Sequence, residues 1–144
     1  MISRAVVLYL VIAAVVAGGI YAWDAATRPS AVTNPNDPAV RAKAAAQTIT
    51  GEPTVRRVIV DNPGVVTVEA NSKYYKGDAS PAANRQYLST EGRLIVQLIL
   101  HDMPEMVVAR VVLFSGRTRL ATIEGRTNQT YEAFRVTYEG PLTR

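Results

Sequence analysis

The chain has 144 residues, a net charge of +4 and no cysteine. That length holds one modest domain once a membrane segment and a linker are set aside, and the missing thiols exclude disulfides, iron–sulfur clusters, thiolate zinc sites and cysteine nucleophiles. Thirteen Arg stand against three Lys; they suit an anion-facing surface or simply reflect codon bias in a GC-rich genome, and so modest a charge does not call for nucleic acid.

Residues Ala5 to Trp23 read AVVLYLVIAAVVAGGIYAW, without a charge. Nineteen apolar residues come close to the roughly 20 a helix needs to cross about 30 Å of hydrocarbon. Lipid offers the backbone no partners, so such a segment must be helical. Tyr21 and Trp23 suit one interface and Arg4 the other, which predicts a cytoplasmic N-terminus and an extracytoplasmic domain in a bacterial inner membrane. A cleaved signal peptide is the rival reading, but the apolar run exceeds the usual one. Ala14, Gly18 and Ala22 recur at four-residue spacing, a small-residue stripe that lets another membrane helix approach. The expected division is 1–23 anchor, 24–38 linker and 39–144 domain.

Pro29 and Pro35 break the polar linker, which reads as semi-extended. Asp37 then caps a helix with Pro38 at its first position and Gly51 at its end. Its alanines bury little area, so it reads as peripheral. Two β-branched runs, Val55–Val60 and Val65–Ala70, flank Asp61-Asn62-Pro63-Gly64, and the Pro-Gly pair predicts a hairpin turn.

A polar loop carries Tyr74 and Tyr75, and Ser80-Pro81 opens a second helix. Tyr87, Leu88, Leu94, Ile95, Leu98 and Ile99 recur at helical spacing from Ala82 to His101. Gly92 weakens that helix, and Leu94 to Leu100 is an alternative buried strand. Pro104 ends the segment. Strands follow at Met106–Phe114, Arg117–Glu124 and Tyr131–Tyr138, read as an antiparallel meander. The expected fold is α+β: a two-layer domain with an antiparallel sheet packed against one main helix.

Chemistry is sparsely marked. His101 is the only histidine and precedes Asp102; neighbours on a helix point about 100° apart, so no direct pairing is expected, and the position suits the helix C-terminal dipole. Calcium, P-loop, dinucleotide and serine-hydrolase motifs are missing. Basic and aromatic residues do not interleave as in a stacking platform for single-stranded nucleic acid. Asn128-Gln129-Thr130 forms a sequon that arises readily by chance. Arg110, Arg117, Arg119, Arg126 and Arg135 fall on or beside the last three strands, among Glu105, Glu124, Glu132 and Glu139. They are either a docking face for an acidic partner or lipid headgroups, or a solvated face with cross-strand pairs. Tyr74 and Tyr75 are a further candidate contact point.

These features predict a non-catalytic accessory or scaffold subunit of a membrane complex, of respiratory, photosynthetic or secretion type. It would contact other subunits through its membrane helix and its Arg-rich sheet face, with no cofactor, metal or nucleic acid and no small-molecule ligand expected. The alternative is a membrane-anchored envelope module that binds a small ligand, lipid or peptide. An enzyme ranks third and would need carboxylates converging in a cleft.

Overall fold

The computed structural model describes residues 34–51, 54–61 and 63–143. They belong to the unit Asn34–Arg144. The expected span 5–23 and most of the 24–38 linker lie outside the described residues, and Ala14, Gly18 and Ala22 lie there too. Among the described residues no helix is long and apolar enough to cross a membrane.

Helix α1 runs Pro38–Thr50, and the Asp37 side chain accepts from the Ala39 amide at 2.9 Å. Gly51 stops it at φ 78°, a conformation that costs glycine nothing. Strands β1 (Val55–Asp61) and β2 (Val65–Asn71) form the antiparallel hairpin that the sequence predicts. Gly64 in its turn takes φ 72°, and a Cβ there would meet the Glu105 carbonyl at 3.2 Å.

Helix α2 is continuous from Pro81 to Asp102, with the Ser80 hydroxyl accepting from the Ala83 amide. The alternative strand at 94–100 is thereby excluded. Its 22 residues span about 33 Å, enough to carry the chain from the end of β2 back along the sheet. Strand β3 (Val108–Ser115) therefore runs parallel to β2, from Val65↔Val108 to Asn71↔Phe114. Strands β4 (Thr118–Arg126) and β5 (Arg135–Tyr138) complete an antiparallel meander with β3. The sheet is thus mixed, in the order β1-β2-β3-β4-β5, not the purely antiparallel one expected. Strand β5 is also shorter than expected, because Tyr131–Ala133 turn as a 3-10 helix.

Both helices pack on one face of the sheet, where a single main helix was expected. Val66, Val68 and Ala70 of β2, Ala109, Val111 and Leu113 of β3, and Ala121 and Ile123 of β4 form the buried floor. Leu88, Ile95, Val96 and Ile99 of α2 lie over it. Helix α1 is not peripheral: Ala42, Ala45 and Ala46 are buried in the same core, their short side chains allowing close approach. Arg41 ties α1 to the far end of α2, donating to the Glu105 carboxylate and the Asp102 carbonyl.

Candidate functional site

The opposite face of the sheet has no covering element among the described residues. Strand alternation and register set its content. Arg57, Ile59 and Asp61 of β1 face out with Val65, Thr67 and Glu69 of β2, and Arg110, Val112 and Phe114 of β3 continue the face. Thr122, Glu124 and Arg126 of β4 and Arg135 of β5 complete it. A bulge at Leu120 lets Arg119 sit opposite Phe114 on this side.

Four of the five expected docking arginines, Arg110, Arg119, Arg126 and Arg135, thus share one surface. Arg117 lies instead in the exposed β3–β4 turn. Arg110 donates twice to Glu124, at 2.7 and 3.0 Å, and Arg119 meets Glu139 at 3.1 Å. These are the cross-strand pairs that the strand pattern allows. Arg56 lies over the Phe114 ring at 4.6 Å and donates to the Gly116 carbonyl. Between these charges Val112 is only 4% exposed, shielded by its longer neighbours.

A second feature lies on the helical side. Between α2 and the sheet, buried side chains of both layers join one core cluster. The helix–helix seam is open instead. A cavity of about 330 Å³ is lined by Thr48 and Ile49 of α1, Tyr74 of the β2–α2 loop, and Gln86, Tyr87, Thr90, Glu91 and Leu94 of α2. A second, of about 240 Å³, shares Ile49 and Leu94 and extends to Gln97, Leu98 and His101. The two make one trough along α2. Tyr74, Tyr87 and Leu94 keep 45%, 40% and 39% of their surface exposed there. The expected pair of tyrosines is divided: Tyr74 stands at the trough, whereas Tyr75 is half-buried against the core.

Glu91, which the sequence reading does not single out, sits in the wall of this trough at 1% exposure. Its carboxylate accepts from the Ser72 hydroxyl and from the Lys73 amide at 2.8 Å. Ser72 Oγ in turn accepts from the Tyr74 and Tyr75 amides, so Glu91 anchors the loop that follows β2. Burial raises its pKa above the usual glutamate range; the hydrogen bonds from Ser72, Lys73 and Tyr74 and the Lys73 charge act the other way. Asn84, one turn and more before Glu91, holds the same loop by both ends of its amide, at Lys76 and Ala79. The available signal was a carboxylate on the buried stripe, three residues after Leu88 and four before Ile95.

His101 Nδ1 and Asp102 Oδ1 lie 2.9 Å apart, against the expectation of no direct pairing. At the helix end both side chains are free to turn together, with 82% and 48% of their surface exposed. Among the described residues no group of three or more acidic or histidine side chains could hold a metal ion. Compared with protein families, curated proteins and solved structures, the chain matches none.

Proposed function

We propose that this chain is a non-catalytic accessory subunit of a multi-subunit membrane complex. In this reading residues 5–23 form a single-pass anchor with the N-terminus in the cytoplasm. The domain stands on the extracytoplasmic side and docks an acidic partner. The observation that supports it is the uncovered sheet face, where Arg57, Arg126 and Arg135 lie on the same side as the Arg110–Glu124 pair and the half-buried Ile59 and Phe114. Apolar residues beside Arg are the composition that protein interfaces favour.

The test uses the full chain extracted from its native membrane in mild detergent. The wild type should migrate with a defined set of other polypeptides. Arg57→Glu with Arg135→Glu, both exposed positions, should release them while leaving the circular dichroism spectrum intact. Migration of the wild type as a lone monomer defeats the proposal, as does an unchanged complex in the charge-reversed variant. One observation favours a second reading, an envelope module that holds a small ligand: the trough between α1 and α2.

A further inference from the structure

Buried charges are ordinarily paired, because taking an ion out of water costs far more than neutral hydrogen bonds return. Glu91 departs from that rule. It takes part in none of the ion pairs among the described residues, which are Arg41–Glu105, His101–Asp102, Arg110–Glu124 and Arg119–Glu139. Its hydrogen-bond donors are a hydroxyl and backbone amides. Lys73, whose charge also acts on Glu91, makes no ion pair with it and holds its ammonium 5.7 Å from the centre of the Tyr74 ring. A carboxylate has about four acceptor sites, so these donors leave room for one more.

The surroundings select what could fill it. Neither cavity is lined by Lys or Arg, so among the lining side chains Glu91 is the acidic group and no guanidinium or ammonium faces it. Tyr74 and Tyr87 line the same cavity as Glu91, and aromatic faces attract cations. Beyond them Ile49, Leu94 and Leu98 continue the trough toward His101. Gln86 to His101 covers about 22 Å of helix, which is long and narrow rather than round.

We propose that the trough between α1 and α2 binds a small organic amine with an apolar tail, its ammonium meeting the Glu91 carboxylate beside Tyr74 and Tyr87 and its tail lying along Ile49 and Leu94. This deepens the reading of the chain as a ligand-holding module and is independent of any partner on the sheet face. The cavity of about 330 Å³ falls at the small end of ligand sites and that of about 240 Å³ just below it, which suits a single alkyl chain.

The experiment is calorimetric titration of the full chain, in a neutral sugar detergent at neutral pH, with hexylammonium, hexanol and hexanoate as probes. Hexylammonium should bind and hexanoate should not. Glu91→Gln should weaken the amine about tenfold or more while leaving hexanol unchanged. Leu94→Lys serves where Glu91→Gln fails to fold: it changes an exposed position, keeps the Ser72–Glu91 contact and places a cation in the trough. Its loss of amine binding supports the proposal. Equal binding of amine and carboxylate overturns it, and so does full amine affinity in either folded variant. Hexanol binding without amine preference would also overturn it, yet would leave a ligand-holding module standing.

Discussion

Gly92 sits near the middle of α2, where replacing glycine by alanine in an exposed helix would gain about 1 kcal/mol. The structure reverses that expectation. A Cβ at this position would lie 2.2 Å from Ile123 Cδ1, 2.5 Å from its Cγ1 and 3.2 Å from its Cβ. Carbon atoms prefer about 3.5–4.0 Å. Ile123 is fully buried in β4, its β-branched χ1 is stiff, and the overlap reaches back to the Cβ fixed to the strand. Overpacking of a filled core costs about 1–3 kcal/mol, and contact at three successive atoms belongs at the upper end. Less the helix gain, Gly92→Ala should destabilise by about 2 kcal/mol. Urea unfolding of the full chain, followed by circular dichroism, should show a lower midpoint with an unchanged slope. The partner variant Ile123→Ala should cost about 2–5 kcal/mol alone. The double variant should be less destabilised than the sum, with a coupling of roughly 1–3 kcal/mol. A stabilised Gly92→Ala, or a strictly additive pair, would refute the claim that this glycine exists to let α2 lie against β4.

Three further outcomes follow from the same geometry. Because burial raises the Glu91 pKa, the folded chain binds its proton more tightly than the unfolded one. The resulting stability is fully present below the usual glutamate range and is lost as pH rises through the raised value. Denaturation midpoints of wild type and Glu91→Gln, compared across the acid range, should therefore diverge in the wild type's favour as pH falls; parallel curves would contradict the assignment. Arg110→Ala and Glu124→Ala, taken through a double-mutant cycle, should couple by only about 0.2–1 kcal/mol, because both side chains stay partly exposed. A coupling of several kcal/mol would mean that this face is covered. Ser80→Ala removes the hydroxyl that accepts from the Ala83 amide and should cost about 0.5–2 kcal/mol, while Ser80→Asp should restore most of the loss.

What could be read in the sequence was what a few neighbouring residues decide. Asp37-Pro38 and Ser80-Pro81 set two helix starts, and Pro63-Gly64 set a hairpin, because caps and turns are satisfied within three or four residues. The direction of β3 depends instead on where a helix of 22 residues delivers the chain. Strand spacing within the later meander gave no information about its junction with β2. The buried face of α2 is narrower than its apolar spacing predicts. Leu88, Ile95 and Ile99 are fully buried, whereas Tyr87 and Leu94, one position earlier in each turn, stay exposed. The reason lies in α1, whose buried contacts to the core come mainly from Ala42, Ala45 and Ala46, with Ile49 only partly buried. Alanines bring a helix close but do not reach sideways over a neighbour's tyrosine or leucine. The trough is therefore a property of the pair of helices, and neither segment announces it by itself. Strand alternation places Arg110, Arg126 and Arg135 on one face, and Arg119 joins them only through the β4 bulge at Leu120, which no local pattern marks.

The two candidate surfaces belong to opposite sides of one sheet, and this separation has a functional consequence. Helix α2 supplies the core through Leu88, Gly92, Ile95 and Ile99 and supplies the trough through Tyr87, Glu91 and Leu94. Strand β4 likewise supplies the core through Ala121 and Ile123 and the charged face through Thr122 and Glu124. Periodicities of 3.6 and 2 thus let the same two segments present a buried surface and an exposed one. An occupant of the trough and a partner on the arginine face can consequently be bound together without sharing a residue. Any influence of one on the other would pass through the packing of α2 on the sheet, of which the close approach of Gly92 to Ile123 is one part.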